Sequence, residues 1–158
     1  FLRRVDDRLV QQHAVADPRP FAILFIDLND FKHINDSFGH DVGDKVLQEI
    51  AQRMLGGLRS RDMVARYAGD EFVVMLDAVH NRQDAESARS KLEHLLETPL
   101  LSLAPTATGA RAGAAVGLAI YPDDGQDVES LLQCSDADMY RRKQARQTAR
   151  RKASGSLG

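Results

Sequence analysis

"RYAGDEFVVML", residues 66–76, directly follows "MVA" and sets an acidic pair, Asp70 and Glu71, between two short runs rich in strand-forming residues. Gly69 lies between those runs, so 63–67 and 72–76 read as a β-hairpin with acids at its tip. Upstream, "FAILFI" at 21–26 is a continuous apolar run after "DPRP", the pattern of a strand covered on both faces, and a third acid, Asp27, ends it. From Val42 onward the apolar positions Val46, Leu47, Ile50, Ala51, Met54, Leu55 and Leu58 recur at helical spacing. Two more amphipathic helices are predicted, over 83–97, closed by Pro99, and over 127–142. Residues 100–109 and 110–122 suggest one or two further strands, the second rich in small side chains. Strands alternating with helices, plus one hairpin, indicate an α/β or α+β sheet domain with helices packed against it.

A chain of 158 residues fits one domain, read here as residues 1–147 followed by a basic flexible tail over 148–158. With 43% hydrophobic and 28% charged residues and a net charge of -2, it has the balance of a soluble globular protein and no electrostatic case for binding DNA or RNA. The single cysteine, Cys134, excludes an internal disulfide framework and a cysteine-built zinc site; it suits a reducing compartment and reads as a buried helical thiol. No apolar run reaches the roughly 18 residues of a membrane helix and no signal peptide is visible, so the expected location is cytoplasmic, with membrane attachment of a longer parent left open. The chain opens at "FLRR" without an initiator Met, which predicts a piece of something longer.

Asp27 closes a buried strand, and open sheets flanked by helices place ligands at that end. If that strand neighbours 72–76, then Asp27, Asp70 and Glu71 converge. Two or three carboxylates with a backbone carbonyl suit magnesium, which retains open positions for substrate phosphates. A solvated acidic turn is the competing reading of Asp70 and Glu71. The passage "DLNDFKHINDSFGHDVGD", 27–44, leads from strand to helix, where free backbone N–H groups can receive phosphate, and Lys32 adds a point charge. Asn35 and Asp44 offer an amide and a carboxylate, the complement of a guanine edge. The alternative is that Asn35 and Asp36 cap the following helix while Gly39 and Gly43 relieve a turn.

Taken together, "FIDLNDFKHINDSFGHDVGD", "RSRDMVARYAGDEFVVML", "VGLAIYPDDG" and "SDADMYRRKQAR" resemble, in order, the GGDEF domain of bacterial diguanylate cyclases, over nearly the whole chain except the basic tail. The resemblance implies an α+β fold with a central, mostly antiparallel sheet of about five strands wrapped by helices, similar to the palm of polymerases and of class III nucleotide cyclases. It also implies condensation of two GTP to cyclic di-GMP and two pyrophosphates across a homodimer, with magnesium or manganese as the cofactor. On that pattern Asp27 and Asp70 are the metal ligands, joined by the Leu28 carbonyl and Glu71, and Asp70 doubles as the base. Asn35 and Asp44 read guanine, and His40 lies beside the nucleotide. Lys32 and the amides near Asp30 and Phe31 hold phosphates, as does Lys143, and Arg66 is placed to stabilise developing charge. Arg59 and Asp62 in "RSRD" match the family's RxxD site for inhibitory product. Because such domains are outputs of sensors, an upstream sensory domain is a further implied partner.

The chain departs from the family at three places. Ala68 stands where the signature has its first glycine; if that position requires a positive φ, alanine costs about 1 to 2 kcal/mol. Asn29 replaces a frequent aspartate. Gln147 stands where an arginine is expected, with Arg146 displaced by one residue, a rotation of about 100° on a helix. Ala68 and Gln147 favour a second reading, a catalytically weak or inactive module that binds GTP or cyclic di-GMP.

Overall fold

The computed structural model describes residues 1–103 and 111–155. Among these, β1 (Phe21–Leu28), β2 (Met63–Ala68), β3 (Glu71–Leu76) and β4 (Ala114–Tyr121) form one antiparallel sheet in the order β2-β3-β1-β4. Around it pack α1 (Leu2–His13), α2 (Phe31–Phe38), α3 (His40–Gly57), α4 (Arg82–Leu96) and α5 (Val128–Gly155). The fold is the expected α+β one, with four strands among the described residues where about five were expected. Of the two segments expected as later strands, 110–122 holds β4, whereas 100–109 contains a 3-10 turn at Leu101–Leu103 and then leaves the described residues.

The sheet is covered on both faces. Leu24, Ile26 and Leu28 of β1 pack against Val46, Ile50 and Met54 of α3 and Leu92 and Leu96 of α4. On the opposite face Phe21 and Ile23 meet Val5 and Leu9 of α1 and Leu131 of α5, and Phe25 meets Met139. Double coverage is why "FAILFI" lacks the alternation of a half-exposed strand. The small residues of β4 have a packing cause too. A Cβ on Gly117 would lie 1.9 Å from the Ser135 carbonyl oxygen and 2.3 Å from the Met139 nitrogen, so the backbone of α5 rests directly on the strand.

Three helices differ from expectation. α1 was not anticipated, although Val5, Leu9 and Gln12 are buried at helical spacing; a stripe of two apolar residues is too short to stand out. Between β1 and α3 the chain forms α2, and Gly39 at φ +86° turns it into α3. Asn35 and Asp36 therefore do not cap α3. Its N-cap is Gly39, without a side-chain bond, and Asn35 sits inside α2. Cys134 is free and half-buried. α5 runs beyond the predicted 127–142, so the segment expected as a tail begins as helix. Among the described residues no helix is long and apolar enough to cross a membrane.

Candidate functional site

The antiparallel register of β1 and β3 sets Asp27 directly opposite Glu71. Directly opposed residues share a face, so the two carboxylates emerge together on the α5 side of the sheet. The Leu28 N–H donates to the Asp70 carbonyl at 3.3 Å and fastens the hairpin turn to the end of β1. In that turn the positive φ falls on Gly69, at +50°, while among the described residues only Asp30 adopts a positive φ without being glycine. Ala68 is the exposed last residue of β2, paired with Glu71 across a register slip that skips Tyr67. The signature's missing glycine thus carries no φ penalty. Arg66 braces the turn by donating from Nε to the Gly69 carbonyl at 2.7 Å.

Lys143 of α5 reaches the same place, its Nζ 2.9 Å from each carboxylate oxygen of Asp27. Burial pushes the Asp70 carboxyl above its ordinary value, and the charge of Asp27 adds to the rise, against the turn's own N–H, Lys143 and Arg66. Glu71 is raised as well, first by burial and then by Asp27, Asp136 and Asp70. Asp136, on α5, was not singled out from the sequence: acids on an exposed helical face are common, and only the docking of α5 lets its charge bear on Glu71. Four carboxylates thus face two cations, Lys143 and Arg66. Among the described residues no group of three His, Cys, Asp or Glu side chains is already drawn together as a metal cage. The donor set nevertheless fits a hard divalent ion: it is all oxygen, carries excess negative charge, and has raised proton affinities that a cation would relieve.

On the other face α2 and α3 bring Asn35 against Gly43, the residue before Asp44. Gly43 makes the room, since a Cβ there would lie 1.9 Å from Asn35 Oδ1 and 3.0 Å from its Cγ. Asp44 is exposed and lines a groove of about 480 Å³ between α3 and β2, with Gln48, Val64, Arg66 and Phe72 along its walls. Lys32 and His40 are exposed nearby, and buried Phe31 opens α2, whose first-turn amides have no acceptor within the helix.

Arg59 and Asp62 stand apart, on a cavity of about 470 Å³ shared with His80 and Lys91 between the end of α3 and α4. Both Asp62 oxygens already accept backbone N–H groups, Oδ2 from Arg59 at 2.9 Å and Oδ1 from Asp77 at 3.1 Å. Arg146, the residue before the missing arginine's position, is engaged by other groups. It donates to the Ala114 carbonyl at 2.7 Å and pairs with Glu93 of α4 and Glu97 at that helix's C-cap, while Gln147 is exposed.

A sequence profile described as "Diguanylate cyclase, GGDEF domain" matches residues 3–149. The bifunctional diguanylate cyclase/cyclic di-GMP phosphodiesterase MucR of Pseudomonas aeruginosa is 40% identical over 141 residues, 88% of this chain and 20% of MucR. The cyclic di-GMP phosphodiesterase NbdA of the same organism is 37% identical over 122 residues, 77% of this chain and 15% of NbdA. The chain therefore spans a fifth or less of these two relatives. Among solved structures, the isolated GGDEF domain of TpbB from P. aeruginosa superposes with a TM-score of 0.84 at 34% identity, covering 92% of this chain and 82% of that one.

Proposed function

Because the chain belongs to the GGDEF domain family, we propose that it condenses two GTP into cyclic di-GMP with release of two pyrophosphates. The observation that supports this most is the register that sets Asp27 opposite Glu71, with Asp70 at the adjoining turn. Asp27, Asp70, Glu71 and the Leu28 carbonyl would hold Mg2+ or Mn2+, which supplies charge neutralisation at the phosphates and acidifies a bound hydroxyl. Asn35 and Asp44 grip guanine and orient the nucleotide, and His40 flanks it. Lys32 and the first amides of α2, from Phe31, take phosphate oxygens. Asp70, whose proton affinity is raised, accepts the proton of the attacking 3′-hydroxyl. Lys143 lies within reach of the same acids and leaves Asp27 for the triphosphate when substrate enters.

One chain carries one such set of residues while the product needs two nucleotides, so the active species is a homodimer and the rate at low concentration rises more steeply than the first power of protein. Arg59 and Asp62 take the product as an inhibitor. The domain works in the cytoplasm under an upstream sensory domain. Incubation with GTP and Mg2+ over a range of protein concentrations, read by chromatography, should yield cyclic di-GMP, and Asp27→Ala should abolish it. Full turnover in that variant would refute the metal assignment.

A second reading, a module that binds GTP or cyclic di-GMP without turnover, is favoured by Arg146 being held by Ala114, Glu93 and Glu97 and by Gln147 in the arginine's place. It predicts saturable GTP binding with no product at any protein concentration.

A further inference from the structure

A line of complementary charge joins α4 to α5 outside the site described above. Arg89 and Glu93 lie four residues apart on one face of α4, with Glu97 as its C-cap residue four further on, and Asp138, Arg142 and Arg146 are spaced the same way on α5. Asp138 is the hub. Its Oδ2 accepts from the Leu118 N–H of β4 at 3.0 Å and from Arg142 Nε at 3.0 Å, and lies 4.0 Å from Arg89 Nη1. Two turns on, Arg146 bonds the Ala114 carbonyl and pairs with Glu93 and Glu97 at 3.8 and 3.6 Å. Lys143 lies between these two anchor points.

The arrangement is a poor device for stability. Arg89 is only 8% exposed, and although it is ion-paired to Glu86, its Nε and Nη1 have no hydrogen-bond partner among the described residues. A buried cation in such geometry does little for net stability and is readily matched by an apolar side chain. What the contacts do fix is the rotation and height of α5. A helix advances 1.5 Å and turns 100° per residue, so a small slip carries a side chain off its target.

We propose that Arg89, Asp138 and Arg146 are positioning residues, holding α5 in the one register that sets the Lys143 ammonium between both carboxylate oxygens of Asp27. The consequence for GTP rests on the cyclase reading; the Lys143–Asp27 contact does not, and it is tested separately.

A zero-length carbodiimide reagent joins an amine to a carboxylate in contact, with loss of water, and peptide mass spectrometry reads the Lys143–Asp27 link in the full 158-residue chain. The link should form in the wild type, fall severalfold in Asp138→Asn and in Arg146→Glu, and return when Arg146→Glu is combined with Glu97→Arg. The second pair sits at the more exposed end of the seam and decides the matter if Asp138→Asn fails to fold. Affinity for GTP should fall about fivefold in the single variants, the scale of one screened ion contact, while affinity for guanosine stays as in the wild type. Undiminished crosslinking in folded variants, or equal loss of GTP and guanosine binding, overturns the proposal. If the wild type binds no GTP but the crosslink still follows the seam, the positioning role stands and the cyclase reading falls.

Discussion

Gly43→Ala should separate folding from guanine recognition. The added methyl would sit 1.9 Å from Asn35 Oδ1, 3.0 Å from its Cγ and 3.3 Å from Phe31 Cζ. The first two contacts are with the end of a half-buried polar side chain that can rotate, so Asn35 leaves its place while the backbone stays. Gly43 lies inside α3 without a positive φ, and there alanine is favoured over glycine by about 1 kcal/mol. Phe31 must yield by a few tenths of an ångström, which offsets part of that gain. The variant should therefore melt within a few degrees of the wild type. GTP binding should instead lose the hydrogen bonds of Asn35, about 1 to 3 kcal/mol, or roughly 5- to 150-fold in affinity. Calorimetric titration of GTP into Gly43→Ala, Asn35→Ala and the double variant measures this. The double variant should bind like Asn35→Ala alone, because both changes remove one group. If a folded Gly43→Ala binds GTP as tightly as the wild type, Asn35 does not read the base from its present position.

Gly69→Ala should cost about 1 kcal/mol in chemical denaturation, because Gly69 alone in the hairpin turn has a left-handed φ, whereas Ala68→Gly should bring no gain; a stabilised Ala68→Gly would contradict the backbone assignment. Asp70→Asn should raise the melting temperature at pH 8 in chelator, and the gain should shrink as pH falls toward about 4. The sign follows from the raised native carboxyl: charging it costs more in the folded than in the unfolded state, so the penalty is absent below the unfolded value and complete above the folded one. A gain that persists at low pH would refute this origin. For Glu49 burial raises the carboxyl, but bonds from the Ser102 hydroxyl and the Leu101 and Ser102 N–H groups, with Arg53, outweigh it and hold it low. Glu49→Ala should cost about 2 kcal/mol, or about 4 to 8 °C, above pH 5, with the difference fading as acid protonates the native carboxylate; a pH-independent loss would point to packing instead.

Much of this protein is legible in one dimension because its signals are local. A doubly covered strand needs a continuous apolar run, and "FAILFI" is one; a hairpin with acids at its tip needs a turn residue between two β-rich runs, and "RYAGDEFVVML" contains it. The choice of Asp27, Asp70 and Glu71 as one group followed from strand ends, and the register of β1 with β3 brings two of them face to face. What depends on how elements dock was not readable. Whether Ala68 is strained turns on which turn residue takes the positive φ, and that is Gly69. Which partners Arg146 takes is set by the acids at the end of α4, and Lys143 reaches Asp27, with the charge of Asp136 bearing on Glu71, because Gly117 lets α5 lie against β4. Composition and spacing specify which groups are available and on which element. Only packing, through distances of a few ångströms between segments more than a hundred residues apart, decides which carboxylate meets which ammonium.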